Sequence, residues 1–569
     1  MLTVSARVLP TLVLLAVAAC APVGRPARFE DTPGGQGADA QPDRTLSILL
    51  RIEPRGATDS SASLNRISLS LFSAPLVASD HREVRFAILA DAVPELNTDG
   101  WRVASDGRME TVYRLRRGLT WHDGVPLTAD DFVFGHRVAV AQSQWTGTSG
   151  GEELRLVEAV VGADPRTLVI RWREPYAEAA IPSLRPWARH ILEAPLEEGN
   201  QQAFESHPYW MGEYIGAGPY RLARWEPGSF IEGLAFDEFA LGRPKIPRVV
   251  LTWSQDPNAT ISRILSGHGD LAVDDALQFQ EATTLQQQWS ASNGGTIILS
   301  PTRLRYVQVQ ARPEHVNPKA LLDARVRKAL LHAVDRQTLA DIMLEGKGMV
   351  AETFVPPTLS FYPAVDAAVT KYPYDLRRTD QLMAEAGFPK TVDGFYANPS
   401  EGRFGLQVRG IAEGQEGRET TTIADYLRRA GAEPILDLVP STQRQQSAEL
   451  RSTFPALTAN NATVYRDLTL NKNITSAIAN AANRWSGGNR TGYSSLEYDR
   501  LYEGWSRSLD GGTRNQTVVQ LLKLANDDLP SLPMYFNFDV VAHVSALIGP
   551  TPVAPDSTYY ANVHEWRWR

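Results

Sequence analysis

Cysteine is almost absent from this chain of 569 residues, in which Cys20 is the single example. A lone thiol excludes an intramolecular disulfide and the thiolate clusters of structural zinc sites. The chain also lacks a basic block, and its formal net charge is -8. Nucleic-acid binding depends on clustered lysine and arginine. We therefore expect neither a disulfide framework nor a nucleic-acid partner.

Catalytic signatures are missing as well. The chain contains no HExxH, P-loop or GxSxG pattern, and its ten histidines are scattered without a metal-binding spacing. A segment at 346–351 loosely fits a dinucleotide fingerprint, but it follows a predicted helix instead of a strand. We therefore expect a binding protein that is not an enzyme and that uses no cofactor and no metal.

The N-terminus carries an apolar run with the length of a signal-peptide core. Residues 8–19 (VLPTLVLLAVAA) follow Arg7 and are too few to span a bilayer. The run leads into VAAC at 17–20, which resembles a bacterial lipobox, where the cysteine thiol receives a diacylglycerol. We predict a signal peptide at 1–19 and a lipid on Cys20. The alternative is an ordinary signal peptide cut near Ala19, with Cys20 incidental.

A tether and a large globular body follow. Residues 20–44 are rich in proline, glycine, alanine and aspartate and cannot bury a core, so we expect a flexible linker. The rest of the chain is too long for one compact core and should form two or three domains.

One polar run, WHDGVPLTADDFVFGH at 121–136, raises the question of a catalytic or metal site. Thr128 is placed to cap a helix, with Asp131 bonding back to it, and acids in a first turn favour the helix dipole. His122 and His136 are fourteen residues apart, which does not suit a pair of metal ligands on one helix. We interpret this run as scaffold.

The hydrophobic pattern mixes strands with capped amphipathic helices. Strands are predicted at 45–51, 109–115, 249–253 and 434–439, and helices at 257–266, 324–334, 376–386 and 423–430. This mixture is typical of the α/β class.

Several motifs, in this order, resemble those of the extracellular solute-binding proteins of the dipeptide/oligopeptide/nickel class (family 5), which serve ABC importers. The similarity covers about residues 45–569. The motifs are YRLRRG at 113–118, TWHDGVPLTADDF at 120–132, GAGPY at 216–220, WEPG at 225–228, LGRPK at 241–245, LSGHGD at 265–270, RVRKAL at 325–330, AVDR at 333–336, AEAGF at 384–388 and DLPSLPMY at 528–535.

The resemblance implies an α/β, two-lobed periplasmic-binding-protein fold with an extra accessory domain, two hinge strands and a ligand cleft between the lobes. Lobe I would comprise 45–79, 216–300 and 538–569, the accessory domain 80–215, and lobe II 301–537. The implied function is a monomeric, lipid-anchored protein of the periplasm or cell surface. It would capture a peptide or another small polar solute and deliver it to an ABC transporter permease.

One segment departs from the family pattern. Peptide binders of the family carry an aspartate in a Trp-x-x-Asp-Tyr-like stretch that pairs with the ligand's α-amine. The corresponding residues here, FPALTANN at 454–461, contain no acid, and the next one is Asp467. Either Asp467 takes this role in a shifted alignment, or the ligand is a sugar, an opine-like compound or another solute without a free amine.

Five residues are predicted to contact the ligand. Trp253 ends a strand that leads into a capped helix, and such strand ends bind ligands in open α/β sheets. The other four, in amide-rich and glycine-rich runs of lobe II, are Asn460, Asn461, Trp485 and Asn489. The alternative is that the tryptophans are core residues and the asparagines form turns.

Two other functions remain open for the same fold. One is a ligand-sensing or chaperone-like lipoprotein, and the other is a secreted hydrolase, because a fold alone does not determine its function.

Overall fold

The chain is seen in a computed structural model that describes residues 44–54, 70–146, 151–464, 470–555 and 557–569. The predicted signal peptide, Cys20 and Asp467 lie outside the described residues, and so does the predicted linker except for Arg44.

The described strands are β1 (Leu46–Leu50), β2 (Val77–Ser79), β3 (Arg85–Ala87), β4 (Trp101–Val103), β5 (Met109–Arg114), β6 (Val157–Asp164), β7 (Thr167–Trp172), β8 (Tyr220–Glu226), β9 (Phe230–Ala235), β10 (Arg248–Trp253), β11 (Leu271–Ala272), β12 (Gly295–Val309), β13 (Met349–Val350), β14 (Ala397–Asn398), β15 (Gly402–Arg403), β16 (Gly405–Ile411), β17 (Glu433–Val439), β18 (Leu457–Thr463), β19 (Ser531–Val544), β20 (Leu547–Ile548) and β21 (Arg567–Trp568).

The described α-helices are α1 (Ala129–Thr146), α2 (Gly151–Leu156), α3 (Arg189–Glu197), α4 (Gln201–Glu205), α5 (Pro257–Leu265), α6 (Phe279–Ser290), α7 (Ala324–His332), α8 (Arg336–Met343), α9 (Tyr362–Ala368), α10 (Leu376–Glu385), α11 (Gly414–Ala430), α12 (Ser441–Gln446), α13 (Leu496–Arg507) and α14 (Gly511–Asp528).

One large sheet organises these elements, in the order β17-β16-β18-β12-β19-β11-β1-β10-β9-β8, with β13 paired to β19 beside this path. The two longest strands, β12 and β19, are antiparallel neighbours at its centre. Their pairing breaks between Ser300 and Arg303. Before the break β12 pairs with the second half of β19, and after it with the first half.

The break divides the sheet into two halves. The first half-sheet (β11, β1, β10, β9, β8) continues from β19 through the pairing of β11 with Ala542 and His543. The second half-sheet (β18, β16, β17) continues from β12 through residues 303–309. In the sheet as described, β12 and β19 are therefore the strands shared by both halves, as expected of two hinge strands.

Separate hydrophobic cores cover the two halves. One core joins the first half-sheet to a four-stranded sheet, β4-β5-β7-β6, on which α1 packs. A second core lies under α7, α8, α10 and α11, and a third under α9, α13 and α14. A fourth lies between α5, α6 and the first half-sheet. Separate cores let the two halves move as distinct bodies, although the domain boundaries predicted above stay a prediction.

Strand burial follows position in the sheet. The central parallel strand β1 (LSILL) is buried at four of five positions, whereas β5 and β16 alternate between buried and partly exposed residues. Continuous apolar runs are typical of strands covered on both faces, and alternation is typical of strands with one covered face. The predictions of β1, β5, β10 and β17 are confirmed.

Helix predictions are confirmed where local capping signals exist. Asp256 caps α5 by accepting a hydrogen bond from the Asn258 N–H at 2.9 Å. Helix α11 begins at Gly414, earlier than the predicted 423. Its first half contains glycine and consecutive threonines, which have low helix propensity. In this first half of α11 the residues Glu416, Glu419 and Thr420 are buried, so tertiary packing stabilises the helix where its sequence does not.

The start of α1 confirms the predicted bond from Asp131 back to Thr128 but not the predicted cap by the Thr128 side chain. The Thr128 hydroxyl was expected to accept from the Asp131 N–H, but instead it points to the Asp131 carboxylate at 3.4 Å. That carboxylate accepts from the Thr128 N–H at 2.8 Å. Asp131 therefore closes the turn, because a carboxylate at the third helical position can reach back to the residue before the helix.

Candidate functional site

The carboxyl ends of several strands meet at the break between the two half-sheets. β1 is parallel to both β10 and β11, so these three strands end at the same edge. In the second half-sheet, β18 ends at Thr463, opposite Arg303 of β12. Open α/β sheets bind ligands beyond the carboxyl ends of their strands. We call this region the hinge edge and take it as the candidate site.

An arginine bridges the first half-sheet and the hinge strands at this edge. Arg303 lies 2.6 Å from Asp275, which follows β11, and 2.6 Å from Asp539 of β19. Thr302 donates a hydrogen bond to Asp539, and Tyr559 lies 3.3 Å from the same carboxylate. Burial alone would lower the pKa of Arg303, but the two carboxylates outweigh it and raise the pKa above its usual value. Arg303 therefore stays charged, and its two ion pairs tie the hinge together.

A second carboxyl group sits beside this cluster. Asp274 is 7% exposed, with φ +54°. Burial, and next the neighbouring charge of Asp275, raises its pKa to about 7. The Asp274 carboxyl is therefore partly protonated near neutral pH.

Polar groups also connect α11 to the hinge strands in the second lobe. Glu419 accepts hydrogen bonds from Arg305 and from the Tyr535 hydroxyl. Gln415 donates to the Tyr535 hydroxyl at 2.7 Å and accepts from Asn537 at 3.1 Å. Burial raises the pKa of Glu419, although Arg305 opposes this effect. The first turns of α11 are held against the hinge by these bonds.

Three of the predicted ligand residues belong to strands that end at the hinge edge. Trp253 is half-buried at the end of β10, next to Leu50 of β1. Asn460 and Asn461 lie on β18; the first donates to Gln308 at 3.0 Å and the second is exposed. The structure therefore places these three side chains on both half-sheets, beside the break.

The other two predicted residues lie elsewhere. Trp485 approaches His315, with ring centroids 6.4 Å apart, and His315 comes after the end of β12 at Val309. From Arg303 to Val309 a strand advances about 20 Å. Trp485 therefore lies near the end of the second half-sheet that is far from the break.

Asn489 holds a loop together. Its side chain is fully buried, donates to the carbonyls of Ile474 and Tyr493, and accepts from the Thr491 hydroxyl and the Gly492 N–H. All hydrogen-bonding positions of this amide are occupied in the structure. Its predicted contact with a ligand would require the loop to rearrange and stays a prediction.

Sequence reasoning missed the Arg303 cluster. The available signal was the pair Asp274-Asp275 directly after a short apolar run, because such a position suggests acidic groups at a strand end. Nothing in the sequence connected that pair to Asp539, which lies far along the chain.

At His122 the structure shows the kind of internal contacts that the scaffold interpretation of the 121–136 run predicts. Its Nδ1 accepts from the Gly216 N–H at 3.2 Å, and its Nε2 lies 3.1 Å from the Gly218 carbonyl oxygen. Burial lowers the pKa of this imidazole to about 4, which keeps it neutral. His122 therefore joins this run to the GAGPY motif.

Two features are absent from the described part of the chain. It contains no group of three or more His, Cys, Asp and Glu side chains arranged to hold a metal ion. It also contains no helix that is both long and apolar enough to cross a membrane.

Known proteins share this fold. The oligopeptide-binding protein from Thermus thermophilus complexed with pentapeptide matches with a TM-score of 0.76 at 22% identity, over 92% of this chain and 96% of that one. NikZ from Campylobacter jejuni in complex with Ni(L-His) matches with a TM-score of 0.74 at 19% identity, over 92% and 100%. The α/β, two-lobed binding-protein fold is confirmed.

The matches to curated relatives cover a smaller part of the chain. The oligopeptide-binding protein AppA of Bacillus subtilis is 24% identical over 379 residues, which cover 65% of this chain and 66% of the relative. The dipeptide-binding protein of Escherichia coli is 25% identical over 364 residues, which cover 60% and 64%. The chain thus spans less than two thirds of the length of either relative.

A family assignment follows from the greater part of the chain. Residues 91–470 match the bacterial extracellular solute-binding proteins, family 5 Middle. This match begins between β3 and β4, includes all of β12 and ends at Leu470, beyond the end of β18. The chain therefore belongs to the family 5 bacterial extracellular solute-binding proteins.

Proposed function

We propose that this protein captures a peptide or another small polar solute outside the cytoplasm and delivers it to the permease of an ABC importer. The observation that carries the proposal is the pair of long strands, β12 and β19, that joins two separately packed half-sheets. Two bodies joined in this way can close around a solute that contacts both of them. The protein is not an enzyme in this proposal.

A peptide is the ligand class that we favour. Both curated relatives described above are named for binding oligopeptides or dipeptides. Asp467, which would pair with a ligand amine only in a shifted alignment, lies outside the described residues. A neutral polar solute is therefore the alternative to be tested directly.

The proposed ligand contacts are those at the hinge edge. Trp253 offers a flat apolar face from the first half-sheet, and Asn460 and Asn461 offer neutral hydrogen-bonding groups from the second. Trp485 and Asn489 would join them only if their loop moved. A lipid on Cys20 and a monomeric state in the periplasm or at the cell surface complete the proposal.

Native mass spectrometry of protein purified without refolding tests the function, because closed binding proteins can retain their solute. We expect a bound species with the mass of a short peptide. The identified ligand is then titrated by calorimetry, and folded Trp253→Ala should bind at least about tenfold more weakly, a loss of about 1.4 kcal/mol. Asn461→Ala is titrated in the same way and should also weaken binding. Its matched control is Asn515→Ala, which changes an exposed asparagine on α14.

Each result has a separate meaning. If Trp253→Ala and Asn461→Ala both bind like the wild type, the hinge-edge contacts are wrong while the binding function stands. If no small solute is retained and deletion of the protein leaves uptake of peptides unchanged, the transport function itself is rejected.

A further inference from the structure

A helical hairpin of the second lobe touches the accessory domain (residues 80–215). Helices α13 and α14 pack in the third core, together with strand residues of the second lobe. The accessory domain packs in a different core, shared with the first half-sheet. Contacts between the hairpin and the accessory domain therefore join the two lobes independently of β12 and β19.

One of these contacts is a largely buried ion pair. Arg514 of α14 lies 2.5 Å from Glu178, and their side chains are only 12% and 15% exposed. Glu178 also accepts from Arg85 of its own domain at 2.8 Å. The Arg514 guanidinium stacks over the Trp505 ring at 4.1 Å, which holds it in place. A positioned, largely buried pair of this kind loses much when one partner is removed.

Two more polar contacts and one apolar contact surround this pair. Arg507 of α13 forms an ion pair with Glu174, and the Tyr502 hydroxyl donates to Glu152. Leu509, in the turn between the two helices, packs against the core of the accessory domain and first half-sheet. Four side chains of one hairpin thus meet the accessory domain at separate points.

We propose that these contacts form a latch that holds the lobes closed even without a solute and so sets the fraction of closed protein. Rotation about β12 and β19 would separate the hairpin from the accessory domain and break all the contacts together. A contact made in one state and absent from the other shifts the equilibrium by its full free energy. The latch acts on the lobes themselves, so it goes beyond the proposed function and holds for any solute.

Distances between spin labels on the two lobes test the latch. The labels are placed by Gln202→Cys on the accessory domain and Gln520→Cys on α14, both exposed positions. Full-length protein with Cys20→Ser provides the background, because the sequence has no other cysteine. Pulsed electron–electron double resonance, recorded without added solute, then gives the distribution of distances between the two labels. The ratio of long to short distances measures the ratio of open to closed protein.

The latch predicts a predominantly short distance in the background protein. Arg507→Glu should raise the ratio of open to closed protein by roughly 5-fold or more, within the range of ordinary coupling between sites. Adding Glu174→Lys to Arg507→Glu should restore the short distance, since the pair is re-formed with exchanged charges. This rescue separates the latch from general damage to folding, which a second charge change would not repair.

A matched control lies within the accessory domain. Arg137 and Glu193 form an ion pair 2.9 Å apart, and their side chains are 44% and 34% exposed. The exposure of Arg507 and Glu174 is similar, 43% and 30%, so the two ion pairs are comparable. Arg137→Glu should leave the distances unchanged. A background protein that is already open, no opening in Arg507→Glu, no rescue in the double variant, or equal opening in Arg137→Glu would each overturn the latch. None of these results depends on transport, so they leave the proposed function untouched.

Discussion

At the scale of single residues, Asp274 couples the hinge edge to pH. Its pKa in the folded chain is about 7, above the ordinary value of 3.8. Between these values the folded state keeps a proton that the unfolded state releases, so the free energy of unfolding falls as pH rises from about 4 to about 7. Above about pH 7 the carboxylate is ionised in both states, and its full destabilising effect on the folded state is present.

Asp274→Asn should remove this term without changing the shape of the side chain, and asparagine tolerates a positive φ. From pH 5 to pH 8 the free energy of unfolding of the variant should rise relative to that of the wild type. The expected change in this difference is on the order of a few kcal/mol. Urea unfolding of both proteins at the two pH values gives the comparison. Equal pH dependence in both would show that Asp274 titrates normally.

His122 provides a second prediction at this scale. In His122→Ala, the Gly216 N–H and the Gly218 carbonyl lose their partner. Leaving buried polar groups unpaired should lower the free energy of unfolding by about 1–3 kcal/mol. Solute affinity should not change, because the imidazole serves the scaffold. Chemical denaturation and calorimetry check both statements, with the exposed His268→Ala as control. A folded His122 variant that cannot bind would reverse the interpretation.

At the scale of elements, the GAGPY segment depends on close backbone approach. A Cβ built on Gly216 would lie 1.9 Å from the Phe72 carbonyl oxygen, so the backbone would have to move. Gly216→Ala should therefore destabilise the protein by about 3 kcal/mol or more, at the upper end of overpacking effects.

Gly212→Ala is the control for this change, since a Cβ there meets nothing within 4 Å. Thermal unfolding should separate the two variants clearly. Similar melting temperatures for both would mean that the chain between Phe72 and Gly216 adjusts at little cost, and the tight contact would then not explain the motif.

At the scale of the whole molecule, the lipid on Cys20 stays a prediction. Cys20→Ser should release the protein from membranes or leave the precursor uncut, because the serine hydroxyl cannot take the thioether-linked lipid. Fractionation after a high-salt wash measures this outcome, since salt removes proteins held by charge alone. A serine variant that still sediments with washed membranes would contradict the prediction.

The sequence by itself determined the features that depend on neighbours along the chain. The α/β class, the Asp256 cap and strands β1 and β10 follow from periodicity and from side chains that reach only a few residues. The ordered motifs added the family and its two-lobed fold. The start of α11 was missed because weak helix formers there are overridden by burial against the sheet.

Only the tertiary structure decided which distant groups meet. Arg303 joins Asp275 and Asp539, and Arg514 joins Glu178, across separations that no local pattern encodes. The same packing put Trp253 beside the hinge and buried Asn489 in a loop, although both had been equal candidates in the sequence. Sheet order and lobe closure set these contacts, and both arise from long-range burial of apolar surface, which is non-directional and leaves no residue-by-residue signature in the chain.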